Sequence, residues 1–99
     1  MMHSPPHPGE IIKDSYLDEL NISINYLAKQ LGVNPSTLSR LVDSKSSISP
    51  EMAIRLSKVL NGSPEFWLNL QQSYNLWQAS QTNDFAGVRK LEQLSEQRI

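Results

Sequence analysis

The chain has 99 residues, a net charge of −1 and no cysteine, and 38% of it is hydrophobic. That describes one small domain with a modest core, and it excludes disulfides and thiolate metal sites. No apolar run approaches the ~18–20 residues of a membrane span, and the opening MMHSPPHP lacks the apolar stretch of a secretory signal, so a cytoplasmic protein without membrane contact is expected.

Residues 1–7 hold two prolines and two histidines and read as a flexible arm. His3 and His7 have no further His or Cys to complete a metal shell, so a solvated tail is expected there, with no metal and no cofactor. Pro8 suits the first position of a helix, with Glu10 at the positive end of its dipole. Ile12, Tyr16 and Leu20 recur every fourth residue, with Ile11 and Leu17 beside them, and predict a first helix that stops at Asn21.

Ser23 is placed to cap a second helix. Ile24, Leu27, Ala28 and Leu31 form one apolar stripe, and Gly32 stands where a helix end wants a left-handed residue. Val33 turns back into the angle between two helices. Asn34 and Pro35 then supply a cap and a first position for a third helix. Its inward face is Leu38, Leu41 and Val42, which leaves Ser36, Thr37, Ser39 and Arg40 facing outward. A polar loop, Asp43 to Ser47, follows.

Ser49-Pro50-Glu51 and Ser63-Pro64-Glu65 are two more helix starts of one design. The fourth helix buries either Met52, Leu56, Val59 and Leu60 or Ala53, Leu56 and Leu60, and Asn61-Gly62 ends it. The fifth is expected from Pro64 to about Gln78. Trp67, Leu70, Tyr74 and Trp77 share one face, and Phe66 lies off it. This is more apolar area than a small core needs, so Phe66, Trp67 and Trp77 become candidates for a dimer or partner surface. The domain is read as residues 8–78. Residues 79–99 form a C-terminal extension, with a thin last helix expected from Phe85 to Gln97.

Charge is unevenly spread. Residues 1–22 carry −3, residues 23–60 carry +3 and residues 61–99 carry −1. The positive middle coincides with the helix pair Ile24–Val42. Two short helices joined by a tight turn, the second with small polar residues outward, are what a helix-turn-helix needs to enter the major groove of DNA. Ser36, Thr37, Ser39 and Arg40 are the candidate base-facing residues. Arg40 suits a guanine edge or a phosphate. Ser23 and Asn25, at the positive end of the second helix, and Lys45 in the following loop are candidate phosphate contacts. No nucleophile–base set or phosphate loop points to an enzyme.

The run LAKQLGVNPSTLSRLV resembles the Cro/C1-type (XRE-like) helix-turn-helix. More narrowly, HPGEIIKDSYLDEL before it and SISPEMAIRLSKVLNGSPEFWLNLQQSYNLW after it resemble the HigA/VapI antitoxins of type II toxin–antitoxin modules. The resemblance covers residues 7–77. It implies an all-α, five-helix, lambda-repressor-like DNA-binding domain with a short helical extension. It also implies a homodimer that binds double-stranded operator DNA, represses its own operon and neutralises a HigB-like ribonuclease toxin. In such proteins the loop after the third helix usually has glycine before the lysine. Here Ser44 must take that backbone shape, or the loop differs locally. A free-standing XRE-family regulator with no toxin is the alternative, and a short basic reading frame beside the gene would separate the two. An interaction module without DNA binding would fit the net charge, and a salt-dependent gel shift would exclude it.

Overall fold

A computed structural model describes residues 4–91, which form five helices. They are α1 (Pro8–Ile12), α2 (Ile24–Leu31), α3 (Pro35–Val42), α4 (Pro50–Val59) and α5 (Pro64–Thr82). A π-helical segment, Lys13–Asp18, prolongs α1. α1 packs on α3 and α5, α2 on α3 and α4, and α4 on α5. Ile12, Leu27, Leu38, Leu41, Leu56 and Trp67 are fully buried between them. None of the described helices is long and apolar enough to cross a membrane.

Each helix begins on a side chain that accepts a backbone N–H. Ser23, Asn34, Ser49 and Ser63 do so for α2 to α5, at 3.0–3.1 Å. Such caps are each worth about 1 kcal/mol. The unforeseen cap is His7, whose Nδ1 accepts from Gly9 N at 2.9 Å. His7 is buried rather than part of a solvated arm, because its ring stands edge-on to Tyr74 of α5, 4.8 Å between centroids. His3 lies outside the described residues.

Three chain reversals share one device. At each, two nested backbone bonds close the helix end around a left-handed residue. Asn21 (φ 54°) follows the π-helical segment, Gly32 (φ 73°) follows α2, and Ser44 (φ 61°) follows α3. The first helix differs from expectation in register. Its π turn places Ile12 and Leu17, five residues apart, in the core and leaves Leu20 exposed. Lys13 and Asp18, also five apart, pair on the outside at 3.0 Å. In α4 the buried set is Met52, Ala53 and Leu56, with Leu60 only partly covered and Val59 exposed.

Two further expectations are corrected. Trp67 is no surface residue. It is 0% exposed, under Tyr16 and Phe66, and its indole N–H donates to the Asn61 carbonyl at 3.1 Å. Of the apolar surplus on α5, Trp67 is the residue that enters the core. α5 itself continues past Gln78 to Thr82, and residues 83–90 are not helical, so the last helix expected from Phe85 does not start there. Its part from residue 92 onward lies outside the described residues.

Gly9 sits where α1 meets the end of α3, and a methyl group there would run into the Leu41 carbonyl. Gly9→Ala should therefore cost ~1–3 kcal/mol or more, read as a fall of several degrees in melting temperature. Burial pulls the His7 imidazole below its ordinary pKa of 6.5, against opposing contributions from the Ser46 backbone and the Glu10 charge. The folded state thus prefers neutral His7. Stability should be complete above pH 6.5 and decline as pH falls below it, and His7→Asn, which caps without titrating, should remove that part of the decline in pH-dependent melting.

Candidate nucleic-acid interface

The helix pair α2–α3 is built from both sides of its turn. Leu27, Ala28 and Leu31 of α2 meet Leu38, Leu41 and Val42 of α3 in the core. Val33, partly buried, donates its N–H to the Ala28 carbonyl at 3.0 Å and so folds the turn back on α2. Arg55 of α4 fixes the same corner. Its Nη1 donates to the Leu31 carbonyl at 2.8 Å, and its Nη2 pairs with Glu51 at 3.0 Å. Arg55 contributes to the positive middle of the sequence, but the structure uses it as a clasp.

What α3 leaves outside is a short polar face. Ser36, Thr37 and Arg40 are exposed, and Ser39 is half-buried at its edge. Ser36 and Arg40 are four residues apart and stand one above the other. The side chains near the start of α3 are small, so a surface can approach its backbone closely. Ser36 also belongs to the cap, since both its N–H and its hydroxyl donate to Asn34 Oδ1, at 3.0 and 2.8 Å. Among the described residues Arg40 takes part in no ion pair, so its guanidinium is free for a ligand.

Ser23 and Asn25 are exposed at the N-terminus of α2. The Ser23 hydroxyl oxygen accepts from Tyr26 N, which leaves its proton to donate outward. Exposed Lys45 lies beyond α3, and its backbone N–H donates to the Arg40 carbonyl at 2.8 Å. Ser44 does adopt the glycine-like left-handed shape, so the loop keeps the expected course and Lys45 stays tied to α3. The other end of the loop is held by Gln71, a buried polar residue of α5. Its Oε1 accepts from Ile48 N at 2.9 Å, and its Nε2 donates to Asn75 at 3.0 Å.

Sequence reasoning missed Tyr26, 54% exposed in the first turn of α2 beside Asn25. Its place off the apolar stripe of Ile24, Leu27, Ala28 and Leu31 was the available signal. Gln71 and His7 were missed because their roles depend on which loop folds against them. Phe66 is 44% exposed, and Trp77 is half-buried 6.4 Å from Tyr74. These two keep outward area while Trp67 does not. Among the described residues no group of three or more His, Cys, Asp or Glu is placed to hold a metal.

Comparison with known proteins agrees with this geometry. Residues 15–67 match the helix-turn-helix family. The chain is 47% identical over 90 residues to an uncharacterised HTH-type transcriptional regulator, YddM, of Escherichia coli K12, covering 91% of this chain and 95% of that one. Among solved structures, the antitoxin GraA superposes with a TM-score of 0.86 at 36% identity, covering 91% of this chain and all of that one. The Pseudomonas aeruginosa antitoxin HigA, solved with the higBA promoter, gives 0.81 at 38% identity over 88% and 97%.

The left-handed Ser44 gives this interface a specific weakness. A Cβ in that conformation costs roughly 1 kcal/mol relative to glycine. Ser44→Gly should raise the melting temperature by a few degrees, because the change relieves strain at a position whose shape is already glycine-like.

Proposed function

The chain belongs to the helix-turn-helix family of HigA/VapI-type antitoxins, and from that premise we propose that it is an operator-binding antitoxin and autorepressor acting as a homodimer. The observation that carries the reading is the split of α3: Leu38, Leu41 and Val42 are in the core, and Ser36, Thr37 and Arg40 face outward with nothing bulky before Arg40. Laid in a major groove, that face brings Arg40 to a base edge or a phosphate, with Thr37 and Ser39 beside it. Ser23, Asn25 and Lys45 take the flanking phosphates. The role is regulatory rather than enzymatic.

The partner is a HigB-like ribonuclease toxin, in keeping with the antitoxin relatives. Phe66 and Trp77, with exposed Leu76, are the surface offered to a second copy or to the toxin. A pairing of two chains suits the charge distribution. One copy places only Arg40 and Lys45 at the end of α3, so its hold on phosphate there is weak and salt-sensitive. Two copies on two half-sites multiply it. The free-standing regulator is favoured by one observation, the match across nearly the whole chain to the transcriptional regulator YddM. Co-purification with the product of an adjacent gene separates the readings, since a regulator without toxin has no such partner.

The operator claim is tested by gel shift of the gene's own upstream DNA at rising salt. Retardation that weakens with salt is expected, and no retardation at low salt from a dimeric protein would end the claim. Arg40→Ala should lower affinity by ~1–3 kcal/mol and flatten preference at one base pair if it reads a base. A uniform loss on all sequences, with a shallower salt slope, would reassign it to phosphate.

A further inference from the structure

The start of α3 carries a constraint on which bases it can accept. Asn34 Oδ1 receives two hydrogen bonds from one residue, Ser36 N at 3.0 Å and Ser36 Oγ at 2.8 Å. A backbone N–H only donates, so the amide oxygen, not the amide nitrogen, must face Ser36. A hydroxyl lying against that oxygen must then spend its single proton on it. Toward solvent the Ser36 oxygen has lone pairs and nothing to give. Arg40, one turn on, has the opposite character, with donors only.

We infer that Ser36 is a specificity-determining residue that acts only as a hydrogen-bond acceptor, and that Asn34 is the positioning residue that makes it so. In the major groove the donors are the amino groups of adenine (N6) and cytosine (N4). Guanine and thymine offer only acceptors there, together with the thymine methyl group. Ser36 therefore selects an adenine or cytosine beneath it and opposes an oxo group in the same place, where lone pairs would meet lone pairs. Ordinary serines on recognition helices turn their hydroxyl to suit either partner. This one is held from turning by the residue that caps its own helix. The inference rests on the operator-binding reading above and specifies what one residue of that interface recognises.

The test uses the full chain and its own upstream DNA, with base analogues. Operator duplexes are made with the amino group of one adenine or cytosine at a time replaced by hydrogen. In each half-site one such deletion should weaken the native protein about five-fold, the size of one lost hydrogen bond, and leave Ser36→Ala indifferent. That maps the contacted base. Exchanging it for guanine or thymine, with the matching complement, then sets an oxo group in place of the amino group. The native protein should lose about ten-fold or more. Asn34→Gly should lose clearly less, because its freed hydroxyl can turn and donate. Glycine is tolerated at a helix cap, and a melting curve confirms that each variant is folded. A purely structural Asn34 would lower affinity for both duplexes alike, without changing their ratio, and that result would overturn its positioning role. If native protein and Ser36→Ala respond alike to every amino deletion, or differ instead at purines lacking N7, the acceptor-only assignment falls while operator binding stands. If the native protein fails to retard the unmodified DNA, both readings fall together.

Discussion

At Gly9 the backbone of the first helix lies so close to the carbonyl of Leu41 that no side chain fits between them. This approach sets the position of α3 against α1, and much of the remaining geometry follows. Leu41 itself is buried, and the next residues close the end of α3 through the bonds to Ser44 and Lys45. His7 caps α1 through Gly9 and lies against Tyr74, so the same contact reaches α5. Pro8, fully buried, completes the corner. The HPGE sequence thus has a mechanical meaning. One residue caps, one fixes the backbone angle, one permits the close approach, and one places negative charge at the positive end of the helix.

The polar groups of the interior complete this arrangement rather than oppose it. Gln71 holds the loop after α3 by the Ile48 N–H, and Arg55 holds the turn between α2 and α3 by the Leu31 carbonyl. No buried side-chain nitrogen or oxygen among the described residues lacks a partner. A charged or amide side chain is costly to bury unless it is satisfied, so each of these bonds also fixes where a loop can run. The outcome is a recognition helix whose turn, exit loop and inward face are each held by a different element. Such a helix presents its outer side chains in one orientation, which is what geometric selection of a base requires.

Much of this was legible in the sequence because it is local. Three of the helix starts are a Ser or Asn followed by Pro, and the stops at Asn21, Gly32 and Asp43-Ser44 need only the few residues around them. The helix-turn-helix face was legible for the same reason, since the periodicity of Leu38, Leu41 and Val42 determines which residues remain outside. What was not legible depends on contacts from far along the chain. His7 looked like part of a loose arm until Tyr74, on the last helix, covered it. Trp67 looked like surplus until Tyr16 and the Asn61 carbonyl supplied its partners. Leu20 fitted a four-residue repeat, but the π turn between Lys13 and Asp18 shifts the phase by one residue and turns it out. Nothing in a pattern of apolar residues announces that extra residue.

The charge of the chain shows why composition alone undervalues this surface. Of the cations in the positive middle, Arg55 is spent on Glu51 and the Leu31 carbonyl, and Lys13 before it is spent on Asp18. Lys29, Arg40, Lys45 and Lys58 remain, and two of them, Arg40 and Lys45, sit at the end of α3, joined through a backbone bond. Removing the Arg55–Glu51 pair leaves the net charge of the segment unchanged, and two of its remaining cations lie where the small residues of α3 allow close approach. A surface with few cations cannot rely on a general attraction to nucleic acid. On the proposed reading, discrimination must come from the shape and hydrogen-bond polarity of Ser36, Thr37, Ser39 and Arg40, and strength from presenting that surface twice.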